Sequence, residues 1–192
     1  MKGGGFMNTI LKYANDFRDA IERAAQAGET DELHFFDKFP RGCCGDTSDL
    51  LAQYLCDNGI QTVYVCGTYY YGESTYDSRS HAWLLVDDDI IVDITGDQFR
   101  LNKELHYRDQ RVYVGYEDEF YRLFEVDYNR DVHEYGEMCL STARLRRLYG
   151  IIMKYIKKPL DEKIANANDD SVRVLERDYP RTIKKKDSEL TK

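Results

Sequence analysis

The chain has 192 residues, of which 42% are hydrophobic and 32% are charged, and its formal net charge is −8. This composition is typical of a globular protein with enough chain to bury a sizeable core. No apolar run approaches the roughly 20 residues needed to cross a bilayer, and the N-terminus lacks a signal-peptide pattern, so we predict a cytoplasmic protein without a membrane partner. The acidic balance argues against nucleic acid as a partner, because neutralising phosphates requires clustered lysine and arginine.

The domain organisation follows from where the apolar residues lie. We predict one domain over residues 1–158 and a charged C-terminal tail over residues 159–192. The five cysteines form no repeating framework, so we expect reduced thiols and not a disulfide scaffold. No Cys-x-x-Cys or His-x-x-x-His spacing occurs, and we predict neither a zinc site nor another cofactor.

An amphipathic helix is predicted from Met7 to Ala27, ended by Gly28. Its apolar positions are Ile10, Ala14, Phe17, Ile21 and Ala24. We expect this stripe to pack on the core and the glycines at residues 3–5 to form a flexible leader. Residues 29–42 are expected to form a loop packed by its own aromatic side chains, in which His34 is a partly exposed histidine.

The stretch from Phe39 to Leu55 places a thiol where a loop becomes a helix. A proline and a glycine break any preceding regular structure, and the polar run Asp46-Thr47-Ser48 is typical of helix caps, which predicts a helix over residues 45–57. Asn58-Gly59-Ile60 predicts a left-handed end and an apolar contact. A cysteine at such a helix start feels the positive end of the macrodipole, which lowers its pKa and makes it a candidate nucleophile. The alternative is a buried cysteine that acts as a small apolar filler.

Residues 80–95 are predicted to form a β-hairpin of two apolar runs joined by three aspartates. A three-residue loop pairs Val86 with Ile90 and places His81 and Asp93 on one face, within reach of each other. One imidazole nitrogen is then free to take a thiol proton while the other donates to the carboxylate. A two-residue loop would shift the register by one and send the two side chains to opposite faces.

Three short motifs in these segments resemble those of the papain-like and transglutaminase-like superfamily of cysteine enzymes. Gly42-Cys43-Cys44 matches its Gly-x-Cys, His81-Ala82-Trp83 its His-x-Trp, and Asp93-Ile94-Thr95 its Asp-x-Thr. The order and spacing agree, and the resemblance covers roughly residues 35–100.

This resemblance implies Cys44 as the nucleophile, His81 as general base and acid, and Asp93 as the orienting third member. It also implies an α+β fold with a papain/transglutaminase-like core, in which N-terminal helices pack on an antiparallel β-sheet. An additional C-terminal helix completes the predicted architecture. The chain departs from the family at Gly45, where a tryptophan often follows the nucleophile.

Several neighbouring residues are further site candidates. Asp97 offers a second carboxylate for the histidine, although we prefer the one within the hairpin register. Gln98 is a candidate for binding an oxyanion, alongside the backbone N–H of Cys44. Cys43 and Trp83 are the remaining candidates for the oxyanion hole or the cleft wall.

The other elements are predicted from their periodicity. A strand is expected over residues 61–71, followed by a polar connection over residues 72–79 that borders the cleft. Val112–Gly115 is predicted to be a further strand, whereas residues 120–126 mix both periods and leave helix and strand open. A last helix is expected from Met138 to Ile156.

The sequence therefore predicts a cysteine-dependent hydrolase, either a peptidase, an amidase or a deamidase. It would act on an amide or acyl bond of a protein or peptide substrate through a covalent thioester. Transglutaminase or acyltransferase activity uses the same triad and stays open as an alternative. A competing hypothesis is a binding or structural relative that keeps the fold and runs no chemistry.

Overall fold

The computed structural model describes residues 3–29, 36–72, 77–105, 107, 110–131 and 140–156. These residues form three α-helices and one five-stranded antiparallel sheet, which confirms the predicted α+β class. None of the helices among them has the length and apolarity that a membrane span requires.

Helix α1 (Gly3–Gln26) buries the apolar stripe that the sequence indicates, since every predicted position is fully shielded from solvent. Gly28 ends the helix with a φ of +72°. The prediction of a flexible leader at residues 3–5 is wrong, because the helix already begins at Gly3. Packing of the later turns on the core stabilises this first turn despite its glycines, as helix formation is cooperative.

Helix α2 (Cys44–Asp57) begins one residue earlier than predicted, and Cys43 is its N-cap residue without a side-chain capping bond. The capping prediction for residues 46–48 is therefore wrong, because this polar run lies inside the first turn of the helix. The predicted left-handed end is confirmed. Gly59 has a φ of +78°, and the Ile60 N–H donates at 2.9 Å to the carbonyl five residues earlier.

The sheet consists of β1 (Val63–Tyr70), β2 (Ser78–Val86), β3 (Ile90–Asp93), β4 (Tyr113–Gly115) and β5 (Glu125–Asp131). Their order across the sheet is β4-β3-β2-β1-β5. The hairpin of β2 and β3 has the predicted three-residue turn, in which Val86 pairs with Ile90. This register decides which residues of the two strands share a face.

The C-terminal elements differ in part from the prediction. The segment over residues 120–126, where the sequence left helix and strand open, contains both a helical turn and the start of a strand. A 3₁₀ turn (Tyr121–Leu123) comes shortly before β5. Helix α3 (Ala143–Ile156) starts later than predicted and packs against α1. The predicted tail over residues 159–192 and the predicted loop histidine His34 lie outside the described residues.

Two hydrophobic clusters cover the two faces of the sheet. Successive side chains of β2 point to opposite faces, so that Ala82 and Leu84 join the cluster under the helices. Trp83 joins a second, aromatic cluster on the other face, built with phenylalanines and tyrosines from the connecting segments. His81, two residues before Trp83, shares that face, and its ring lies against the aromatic cluster.

Candidate active site

The two adjacent cysteines have opposite environments. Cys43 is 1% exposed, its thiol donates to the Pro40 carbonyl at 3.2 Å, and burial raises its pKa to about 12. Cys44 is the first residue of α2 and is half-buried. Cys43 is therefore a core residue and not the cleft or oxyanion candidate that the sequence suggested, whereas Cys44 is partly exposed to solvent.

His81 and Asp93 are in direct contact. The imidazole of His81 is fully buried on β2, and its Nε2 lies 2.7 Å from Oδ2 of Asp93 at the end of β3. Asp97, the alternative carboxylate, instead receives two hydrogen bonds of 3.0 Å from Arg18. The structure thus places the carboxylate of the hairpin register, and not Asp97, beside the histidine.

The carboxylate of Asp93 accepts hydrogen bonds at both oxygens. Its Oδ1 receives the backbone N–H groups of Thr95 at 2.8 Å and Gly96 at 3.0 Å, together with the Thr95 hydroxyl at 3.2 Å. Its Oδ2 receives the hydroxyl of Tyr121 at 3.0 Å in addition to the imidazole. Burial raises the pKa of Asp93, but the charge of His81 and these donors outweigh it, so that the pKa is lowered. The carboxylate therefore stays ionised and fixes the orientation of the ring.

The thiol and the imidazole shift each other's pKa in opposite directions. Burial lowers the pKa of His81, but the charge and hydrogen bond of Asp93 and the contact with Cys44 raise it to about 9. Burial raises the pKa of Cys44, whereas the hydrogen bond and charge of His81 and the Ala82 N–H lower it, with a net lowering. Both shifts favour a thiolate beside an imidazolium, the form in which sulfur is nucleophilic.

Gln98 connects the histidine to the loop that precedes Cys44. It lies on a 3₁₀ helix (Gly96–Phe99), and its Nε2 is 3.3 Å from Nδ1 of His81. Its Oε1 accepts the Gly42 N–H at 3.3 Å, which leaves the amide N–H group directed at Cys44, where it helps to lower the thiol pKa. A developing oxyanion beside the sulfur requires such a donor. The first N–H of α2 offers a second one, since it has no partner within the helix.

Aromatic rings enclose the buried imidazole. The centroids of Phe99 and Phe124 lie 5.1 and 5.7 Å from that of His81. Trp83, which the sequence suggested as part of the cleft wall, is 4% exposed and packs at 5.7 Å from the same ring. Trp83 therefore packs against the His81 ring in the interior and does not form a wall of the cleft. The rings also keep water away from the His81–Asp93 pair, which strengthens their attraction.

Gly45 lies beside a tyrosine where the resembling family often has a tryptophan. A Cβ atom at this position would lie 3.2 Å from the hydroxyl of Tyr64 on β1. Tyr64 is 6% exposed and belongs to the core under the helices. The space next to Cys44 is therefore occupied by a side chain from the sheet, and a larger residue at position 45 would have to displace it.

Two residues that hold the site together belong to none of the sequence motifs. Tyr121 belongs to the aromatic cluster and donates its hydroxyl to Asp93, and no local pattern links the two. Arg18 is 3% exposed and donates to the Ile94 carbonyl as well as to Asp97, so it fixes the loop that presents Gln98. For Arg18 a signal exists, because it lies one turn after Ala14 at the edge of the apolar stripe of α1, and a charge buried there requires a partner.

Comparison with known proteins gives no counterpart, since no family model, curated protein or solved structure matches the chain. Within the described residues, no group of three or more histidine, cysteine, aspartate or glutamate side chains is placed to hold a metal ion. Function is therefore inferred from the chemistry of the site itself.

Proposed function

We propose that this chain is a cysteine-dependent hydrolase whose triad is Cys44, His81 and Asp93, on a papain-like or transglutaminase-like core. The observation that carries the proposal is the 2.7 Å contact of the Asp93 carboxylate with the His81 ring. The same ring lies close enough to the Cys44 thiol to lower the pKa of that thiol. A cysteine that serves only packing needs no such partner, since burial without an adjacent cation raises a thiol pKa. The order of the three motifs and the position of the thiol at a helix start next to the sheet support the same conclusion.

The proposed reaction begins with attack of the Cys44 sulfur on the carbonyl carbon of an amide. The carbonyl oxygen takes the negative charge and is stabilised by the Gln98 amide N–H and the backbone N–H of Cys44. The C–N bond then breaks, and the imidazolium of His81 gives its proton to the leaving amine. A thioester of Cys44 remains, with His81 neutral.

The second half of the reaction restores the enzyme. Neutral His81 takes a proton from water, whose oxygen attacks the thioester carbon, and the C–S bond breaks to release a carboxylic acid and the Cys44 thiolate. Asp93 keeps the ring in place through both proton transfers and stabilises each imidazolium that forms. An acceptor amine in place of water would give transamidation by the same steps.

The test is incubation of wild type and Cys44→Ala with peptides from a digested proteome, followed by mass spectrometry. New peptide termini would indicate peptidase activity. Conversion of glutamine to glutamate would indicate deamidation, and peptides joined by isopeptide bonds would indicate transamidation. We expect one of these products in the wild-type sample and its absence with Cys44→Ala. Identical peptide patterns for the two proteins would contradict the proposal.

A further inference from the structure

Two clefts meet at Gln98, next to the proposed nucleophile. The first, of about 470 Å³, lies between α1, the loop over residues 38–41 and the 3₁₀ helix that presents Gln98. The second, of about 650 Å³, runs from the same glutamine along the turn over residues 101–104. Arg41 and Gln98 line both clefts. A chain bound across the site would therefore extend from Gln98 into one or both of them.

The clefts are strongly basic, although the chain as a whole has a net charge of −8. Seven cationic side chains and three carboxylates line them. Two of the carboxylates, Glu22 and Asp97, are already paired with Arg18 or Arg111. Positive charge therefore remains at the surface of these clefts.

Five exposed cations supply that charge, and we call them the basic collar: Lys38, Arg41, Arg79, Arg100 and Lys103. In the described part of the chain, no ion pair involves any of them. Glu104 is the remaining carboxylate among the lining residues. Positive charges held near one another repel, and a bound anion relieves that repulsion. A cluster of this kind therefore favours anionic ligands.

The basic collar lies near the proposed reaction centre in the sequence, and Gln98, which lines both clefts, contacts His81. Arg41 lies three residues before Cys44, and Arg79 lies two residues before His81 on the same strand. Arg100 directly follows the 3₁₀ helix of Gln98. A polypeptide whose carbonyl group sits at Cys44 would thus place its neighbouring side chains among cations.

We propose that the substrate is an acidic polypeptide, with aspartate or glutamate flanking the amide that Cys44 attacks. This inference rests on the proposed function. A single exposed ion pair contributes little to affinity, but several together provide selection. The same field also speeds the encounter with acidic segments by about 10–1,000-fold at low salt. The acidic charge of the rest of the chain opposes long polyanions such as nucleic acid, whereas a short acidic segment meets only the collar.

A binding measurement tests the preference for acidic peptides independently of catalysis. The probe is a short fluorescent peptide with several glutamates around a glutamine, and its control has glutamine at every glutamate position. Anisotropy with full-length Cys44→Ala protein measures affinity without turnover. We expect the acidic peptide to bind at least about tenfold more tightly at low salt. The preference should shrink as salt rises, because exposed charges are screened.

Charge reversal tests the collar directly. In the Cys44→Ala background, Arg41→Glu with Arg100→Glu should abolish the preference for the acidic peptide. Arg41→Gln with Arg100→Gln should weaken it without adding repulsion. The matched control, Arg146→Glu with Arg147→Glu, changes two arginines of α3 that line neither cleft and should preserve it. Circular dichroism checks that each variant is folded.

Equal binding of the two peptides, or a preference that survives the reversal at Arg41 and Arg100, would overturn the proposal. Stronger competition by a single-stranded oligonucleotide than by the acidic peptide would also overturn it. The proposed function fails separately. Cys44-dependent modification of peptides without enrichment of flanking acids would refute only the collar, and selective binding without any Cys44-dependent product would refute only the hydrolase.

Discussion

His81 Nε2 and Asp93 Oδ2 lie 2.7 Å apart in a space that solvent does not reach, since the two residues are 0% and 2% exposed. Attraction between opposite charges grows as water is excluded, so this pair binds the imidazole proton firmly. The ring is therefore held both in position and in its charged form. Cys44 responds to that charge, because the ring lies close enough to its thiol to lower the thiol pKa.

The first prediction concerns the titration of His81. Its pKa should be about 9, which NMR of the labelled imidazoles can measure, with His81→Gln identifying the signal. In Cys44→Ala the pKa should fall, because the thiol no longer favours the charged ring, yet stay above 6.5 because Asp93 remains. A wild-type value at or below 6.5 would show that burial outweighs the ion pair.

The second prediction concerns the pH dependence of alkylation. The pKa of Cys44 is lowered, whereas burial raises the pKa of Cys56 and Cys66. At about pH 6.5 iodoacetamide should therefore label Cys44 at least about tenfold faster than either, because only the thiolate reacts. The difference in alkylation rate between Cys44 and the other two cysteines should decrease as pH rises, because the other thiols then ionise. Peptide mapping measures the rates.

The control for alkylation is His81→Gln, which removes the cation but leaves the helix start. If the lead of Cys44 disappeared in this variant, the imidazolium would be its cause. If the lead persisted unchanged, the helix macrodipole alone would explain it. Labelling of Cys66 before Cys44 in wild type would contradict the assignment of the nucleophile.

The hairpin of β2 and β3 was predictable from sequence because its turn is short and polar. Val86 and Ile90 flank three aspartates, and a short polar turn between apolar runs leaves few possible registers. Once that register is set, the contact between His81 and Asp93 follows from the alternation of side chains. The start of α2 was less predictable, because its polar run Asp46-Thr47-Ser48 has the composition of a cap but lies within the helix.

The third prediction concerns Tyr121, whose hydroxyl donates to Asp93 at 3.0 Å within the buried cluster. Tyr121→Phe removes one donor from a buried charge and should cost about 1.5–3 kcal/mol of unfolding free energy. Urea denaturation measures the loss. Tyr113→Phe is the matched control, because its hydroxyl bond to the Tyr116 carbonyl is exposed and its loss should cost less than about 0.5 kcal/mol. Equal losses would exclude a special role for the bond to Asp93.

Long-range contacts explain what the sequence could not show. Tyr121 comes 28 positions after Asp93, in a segment with no clear period, and only the folded sheet brings them together. Arg18 and Asp97 are 79 positions apart. The charge of Arg18 at the edge of an apolar helix stripe indicates a buried partner, but nothing in the local sequence identifies which of the many carboxylates of an acidic chain it is.

The fourth prediction concerns this ion pair of Arg18 and Asp97. Arg18→Met leaves a buried carboxylate without its cation and should cost about 3–5 kcal/mol. The double variant Arg18→Met with Asp97→Leu should recover much of that loss, since it removes both buried charges. Urea denaturation of the wild type, both single variants and the double variant gives the coupling. Strictly additive losses would show that the pair does not act as a unit.

The fifth prediction concerns Gly96, which lies in the loop after β3 and donates its backbone N–H to Asp93 Oδ1 at 3.0 Å. A Cβ atom there would come within 2.6 Å of Asp93 Oδ2 and of the Tyr107 ring. Gly96→Ala must therefore move the carboxylate or the tyrosine, at a cost of about 1–3 kcal/mol. The same shift should lower the pKa of His81, because its partner moves away. Gly150→Ala is the control, since nothing lies within 4 Å of its Cβ position in α3 and alanine there should stabilise the helix by up to about 1 kcal/mol. Unchanged stability and an unchanged His81 pKa in Gly96→Ala would mean that the loop accommodates a side chain next to Asp93.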